Sequence, residues 1–190
     1  LFTDNLREKV EEKILKPILN AMKSDNYPFK GFLYVGLMID EGEPYVIEFN
    51  VRLGDPEAQV LLPLIKSSVL DMMVASINGE IENHTIELGP NYAVTVVLSV
   101  KGYPEKYNKG MKIKGLDNVQ DEIVFHAGTK LENNDFLTNG GRVLNVVGID
   151  KDLKQSIVKA YQLANIIDFK DKYYRSDIGM KAFKYLEEKE

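Results

Sequence analysis

Positions 45–61 read YVIEFNVRLGDPEAQVL and hold the residues best suited to chemistry. Glu48 and Asn50 stand two apart in a stretch that alternates in character, so on a strand their side chains share one face. Both present oxygen, the donor type a hard cation such as magnesium prefers. Magnesium takes one or two protein ligands and completes its shell with water and substrate phosphates. Arg52 follows at the strand's end, where a guanidinium beside metal-bound phosphates would hold a phosphoryl group and offset its charge. Asp55 lies just beyond, placed to orient or deprotonate an amine. Each feature also has a plain reading. The Glu-x-Asn pair suits a solvent-facing strand, Arg52 with Asp55 suits a surface ion pair, and Gly54-Asp55-Pro56 is good turn chemistry. The apolar neighbours Ile47, Phe49 and Val51 leave the two readings evenly matched.

The elements that must position these residues follow from periodicity. Apolar residues at helical spacing from Val10 to Met22 predict a helix over 4–23, capped by Asp4 and kinked or divided at Pro17. A loop over 24–30 leads into GFLYVGLMI (31–39), a short apolar run that predicts a buried strand. DEGEP (40–44) is a turn, and 45–50 is the antiparallel partner strand. A helix is expected over 57–77, with a break marked by Pro63.

After Gly79 the character changes, and a domain boundary is expected near 86–91. Strands are predicted over 92–100, 112–114, 122–126 and 143–149, a tight hairpin turn at Asn139-Gly140-Gly141, and a helix over 153–167. His126 reads as a structural residue at a strand end and His84 as a surface residue. Tyr103-Pro104 reads as a turn, and Arg175 with Asp177 as an ion pair.

Composition narrows the function classes. The chain has 190 residues, 44% hydrophobic and 28% charged, which suits one or two globular domains rather than a disordered segment. A net charge of −5, with no run of Lys or Arg longer than two, argues against a nucleic-acid surface. There are no cysteines, which removes disulfides, thiol nucleophiles and thiolate metal sites. Two distant histidines make a His-rich zinc site improbable. No apolar stretch approaches the ~20 residues of a membrane span.

The string EFNVRLGDPEAQVLLPL resembles the signature of the glycinamide ribonucleotide synthetases, the phosphoribosylamine–glycine ligases of the ATP-grasp superfamily. That signature reads Arg, Leu or Phe, Gly-Asp-Pro-Glu, any residue, Glu or Gln, any residue, aliphatic. Arg52, Leu53, Gly54, Asp55, Pro56, Glu57, Gln59 and Leu61 satisfy every position. PFKGFLYVGLMI (28–39), KGYPEKYNKG (101–110), FHAGT (125–129), TNGGRVLNVVG (138–148) and YRSDIG (174–179) resemble further family segments in the family's order.

The resemblance implies an α+β chain in two parts. Residues 1–88 would be the C-terminal half of an ATP-grasp catalytic core, antiparallel strands packed with helices, and 89–190 a small β-rich C-terminal domain. It implies a cytoplasmic ligase of purine biosynthesis that uses ATP, glycine and 5-phosphoribosylamine. Glu48 and Asn50 would hold Mg2+ (or Mn2+), and with Arg52 would bind the nucleotide. Arg52 would contact the transferring phosphoryl group, and Arg52, Gly54, Asp55 and Pro56 would lie at the glycine or phosphoribosylamine site, with Arg52 and Asp55 catalytic. Many ATP-grasp enzymes carry another metal-binding carboxylate on the preceding strand. Here none occurs before Asp40, as in this family. The family's ATP lid and adenine-binding strand have no counterpart in the chain. The expectation is therefore a C-terminal portion, inactive alone, whose partner is the N-terminal half of the same enzyme. Two alternatives stand beside it: another ATP-grasp carboxylate–amine ligase, and a non-catalytic module that retains the fold.

Overall fold

The computed structural model describes residues 2–120 and 122–183. Helix α1 (Asp4–Val10) runs through a π-helical turn (Glu11–Leu15) into α2 (Lys16–Ser24). Pro17 sits in the first turn of α2, where its missing N–H costs least. The expected division at this proline is therefore made by widening the turn before it. The expected cap is corrected: Thr3, not Asp4, accepts the Leu6 N–H at 3.2 Å. Thr3 is the residue with extended backbone, and Asp4 already lies inside the helix.

Strands β1 (Tyr34–Asp40) and β2 (Glu43–Asn50) form a two-stranded antiparallel hairpin. Its turn is Glu41-Gly42, with φ of 48° and 77°. Two left-handed residues give the twist that suits a hairpin, so the link is tighter than the five-residue turn expected. Then come α3 (Ala58–Leu61), a 3-10 turn (Leu62–Leu64), and α4 (Val69–Asn78). The expected long helix is thus broken after Pro63. Ile65 turns extended, and Ser68 caps α4 by accepting from Asp71 N at 3.1 Å.

The remaining elements are β3 (Tyr92–Val100), β4 (Ile123–His126), β5 (Thr129–Glu132), β6 (Asp135–Thr138), β7 (Arg142–Asp150), α5 (Leu153–Ile166) and β8 (Lys172–Tyr173). Residues 112–114 make only isolated bridges, Lys112 to Leu137 and Lys114 to Asp168, and form no strand. The β5–β6 hairpin was not foreseen; Asn133 and Asn134 supply its two positive φ angles. Asn139–Gly141 is correspondingly a bend between two sheets rather than a hairpin turn.

The chain divides into two units, Leu1–Asp55 with Ser67–Glu87, and Pro56–Lys66 with Leu88–Glu190. In the first, α1 lies against β2, and Leu6, Val10, Ile14 and Met72 are buried. Lys9 and Lys13 both reach Glu43 at the hairpin's turn, at 2.6 and 2.5 Å. The run 31–39 is corrected from a buried strand to a half-buried one, ending in exposed Met38 and Ile39. Among the described residues no third strand pairs with this hairpin.

The second unit holds the larger core. Its sheet has the order β4-β7-β3-β8, with every pair antiparallel. Val94, Val96, Leu98 and Val100 alternate inward along β3 and meet Leu144 and Val146 of β7 and Ile157, Ala160, Leu163 and Ala164 of α5. Asp152 caps α5 by accepting from Gln155 N at 2.8 Å.

Candidate active site

β2 carries the first residues predicted to do chemistry. In the hairpin register Glu48 stands opposite Gly36 and Asn50 opposite Tyr34, so these four positions share one face. The register slips between Gly36 and Leu37, which leaves Ile47 as the extra residue of a bulge. Asn50 Nδ2 donates to Glu48 Oε1 at 3.0 Å. The structure therefore brings Glu48 and Asn50 together, Glu48 exposed and Asn50 half-buried.

Arg52 follows directly after the strand and is exposed, and its Nη1 donates to the Leu53 carbonyl at 3.2 Å. Gly54 is buried and Asp55 exposed, both in the irregular segment that ends the first stretch of the first unit. Pro56 opens the second unit, and Glu57 leads into α3 there. Glu48, Asn50, Arg52, Gly54 and Asp55 thus lie on eight consecutive residues of one unit.

Gly36 and Tyr34 were expected only as strand residues, yet they line the face that bears Glu48 and Asn50. The available signal was a glycine inside an otherwise apolar strand, a mark of close approach by another group.

In the second unit the segments FHAGT, TNGGR and KGYP gather at one end of the sheet. Gly128 N donates to Arg142 O at 2.9 Å, Asn139 N to Gly128 O at 2.6 Å, and Val100 N to Gly141 O at 2.8 Å. A Cβ on Gly128 would lie 2.5 Å from Gly140 Cα, and one on Gly141 would lie 2.0 Å from the Tyr103 ring. These glycines permit backbone and ring to close on each other. His126 ends β4, with Nδ1 2.9 Å from Thr129 Oγ1 and its ring tilted against Phe136. Partial burial pushes its imidazole below the ordinary histidine value. His84 is corrected from a surface residue to a half-buried one: its Nε2 is shielded from solvent, and its backbone N–H closes the 3-10 turn Ile81–Asn83. Arg175 and Asp177 form the expected pair through two hydrogen bonds, of 2.9 and 2.6 Å.

Comparison with known proteins agrees over most of the chain. Residues 1–58 match the family model for the phosphoribosylglycinamide synthetase ATP-grasp (A) domain, and 93–181 match that for its C domain. The chain belongs to the phosphoribosylglycinamide synthetase family. It is 42% identical to a phosphoribosylamine–glycine ligase of Chlorobaculum tepidum over 96% of this chain and 44% of that one. It is 44% identical to the Fusobacterium nucleatum protein of the same name, over 94% and 43%. The crystal structure of a phosphoribosylamine–glycine ligase from Thermotoga maritima superposes with a TM-score of 0.83 at 34% identity. It covers 92% of this chain and 43% of that one. The chain thus spans less than half the length of these relatives. The fold is that of the family: α+β, ATP-grasp strands and helices followed by a small β-rich C-terminal domain.

The donor set of β2 fits the cation that such a fold implies. One carboxylate and one amide oxygen suit magnesium held together with nucleotide phosphates. Among the described residues no group of three or more His, Cys, Asp or Glu could hold a metal by itself. Also among them, no helix is long and apolar enough to cross a membrane.

Proposed function

We propose that this chain supplies the magnesium- and substrate-bearing part of a phosphoribosylamine–glycine ligase. In that reaction a glycine carboxylate oxygen attacks the γ-phosphorus of ATP, releasing ADP and forming glycyl phosphate. The amine of 5-phosphoribosylamine then attacks the acyl carbon and expels phosphate. The observation that carries the proposal is the Glu48–Asn50 pair on one face of β2, followed at once by the Arg52–Asp55 segment.

Glu48 and Asn50 would hold Mg2+ (or Mn2+), which when bound screens the charge of the phosphates. Arg52 holds the phosphoryl group by its planar fork of donors and offsets charge as the phosphoryl moves. Gly54, Asp55 and Pro56 border the glycine or phosphoribosylamine site, where Asp55 orients the attacking amine and accepts its proton.

Functionally, residues 1–88 belong to the catalytic core and 89–190 to the C-terminal domain. Exposed Met38, Tyr45, Ile47, Phe49 and Val51 on the hairpin suit burial against a further segment, and the N-terminal half of the same enzyme is assigned that place. A cytoplasmic location goes with this reading.

The test is phosphate release from ATP with glycine and phosphoribosylamine, measured on the chain alone and on the chain supplied with the N-terminal half of a relative. The chain alone should be inactive, and the pair should release phosphate only with both co-substrates. Release that ignores phosphoribosylamine would assign the chain to another carboxylate–amine ligase. Magnesium-nucleotide binding without turnover would assign it to a non-catalytic module.

A further inference from the structure

Gly36 lies within β1, yet its backbone does not call for glycine. Its φ is outside the left-handed region, whereas a bulge that depends on glycine places it there. Glycine also weakens a strand, because it adds no side-chain packing and loses more freedom on folding. What it supplies here is space. A Cβ on Gly36 would lie 3.1 Å from Glu48 Cγ, a contact that a neighbour must yield to accommodate. The same Cβ would stand 3.7 Å from the Glu48 backbone N and O, an ordinary contact. The conflict is therefore with the Glu48 side chain alone.

We infer that Gly36 is a positioning residue: its bare Cα keeps open the strand-face space that seats the Glu48 carboxylate beside Asn50, and so sets how that carboxylate meets a magnesium nucleotide. The inference rests on the role proposed for Glu48. Three features converge on it. Gly36 is the register partner of Glu48. The Asn50 hydrogen bond ties Glu48 Oε1 on one side, so displacing Cγ strains or breaks that bond. The bulge at Ile47 immediately precedes Glu48 and sets the bend and twist of β2 from which that side chain projects.

The experiment compares Gly36→Ala, Glu48→Gln, Glu48→Ala and the Gly36→Ala/Glu48→Ala double variant. The magnesium dependence of phosphate release is read in the chain completed with the N-terminal half of a relative. Thermal unfolding is read in the chain itself. Gly36→Ala should raise the half-saturating magnesium concentration ~10-fold or more, the scale on which positioning groups act on metal affinity. Its melting temperature should hold or rise. An unchanged magnesium requirement in a folded Gly36→Ala chain overturns the inference. Should Gly36→Ala fail to fold, the double variant decides. Removing Cγ at position 48 should restore folding if the conflict is with that side chain, and an unfolded double variant overturns the inference. Glu48→Gln separates the two claims, because unchanged activity and magnesium dependence there would remove the metal reading itself, whatever Gly36 does.

Discussion

Asn50 and Glu48 are joined side chain to side chain on one face of β2, with Asn50 Nδ2 donating to Glu48 Oε1 at 3.0 Å. The bond uses one amide donor and one carboxylate oxygen. Glu48 Oε2 and Asn50 Oδ1 take no part in that bond. Glu48→Gln keeps the shape but removes the charge that draws a divalent cation. Metal-assisted charge stabilisation is worth several kcal/mol, so turnover should fall on the order of 10²–10³-fold. Asn50→Ala keeps the carboxylate and should cost less, appearing first as a higher magnesium requirement. Magnesium titrations of phosphate release check both, and equal effects of the two changes would contradict the assigned roles.

Arg52 sits just after β2, exposed, with its Nη1 donating to the Leu53 carbonyl. Lysine at this position keeps the charge but loses the planar fork that grips phosphate at two points. Arg52→Lys should therefore lower kcat by roughly the 10²-fold cost of one preorganised electrostatic contact. The KM for phosphoribosylamine should move little. Steady-state kinetics with each substrate varied in turn separate the two parameters. A change confined to KM would place Arg52 in uniform substrate binding rather than phosphoryl transfer.

The hairpin, with Glu48 and Asn50 on one of its faces, was legible because charge, turn residues and a period of two all converge within 40–61. The signature Arg52–Leu61 resembles the family's without reference to the fold. Burial was less legible. GFLYVGLMI is as apolar as a central strand, yet apolarity alone does not say how many layers cover it, and among the described residues the hairpin pairs with no third strand. Turn location failed where two signals competed. Gly140-Gly141 is the stronger sequence signal for a hairpin, but Asn133-Asn134 adopts the two left-handed positions. The glycines instead allow close contact with Gly128 and Tyr103, a tertiary demand that no local pattern reveals. Gly36 shows no local sign of which neighbour is close for the same reason, since that neighbour, Glu48, arrives from the opposite strand.

The hairpin's turn is tied to the N-terminal helical segment by a charge cluster with a calculable pH response. Hydrogen bonds from Lys13 and then Lys9 hold the Glu43 carboxyl down at about 2, below its ordinary 4.5. A carboxyl depressed in the folded state contributes stability that is present above its unfolded value and is lost as pH falls toward the folded one. The contribution should therefore be complete above pH 4.5 and fade between pH 4.5 and about 2. Because the cluster is exposed, added salt should reduce it. Glu43→Gln should flatten the melting-temperature profile in that window and leave the profile near neutrality shifted by a small constant. A profile with the same slope as the parent chain would show that Glu43 is not the group responsible.

Gly148 of β7 faces the first turns of α5, and there the helix backbone itself is the neighbour. A Cβ at this position would lie 2.0 Å from the Ser156 carbonyl oxygen and 2.5 Å from Ala160 N. Ser156 cannot readily yield, since its hydroxyl has the Tyr92 and Asp152 carbonyls at 3.0 and 3.1 Å as acceptors for its single proton and its side chain is fully buried. Gly148→Ala must therefore lift α5 from the sheet, at a cost of about 3 kcal/mol, the upper end for overpacking a well-filled core. Gly141→Ala supplies the contrast. Its Cβ would also come within 2.0 Å of a neighbour, but that neighbour is the Tyr103 ring, a side chain 42% exposed that can swing outward. It should cost about 1 kcal/mol, the low end of the same range. Urea unfolding of the two variants, compared at constant m, measures the difference, and equal losses would show that the α5 backbone yields as easily as a surface ring.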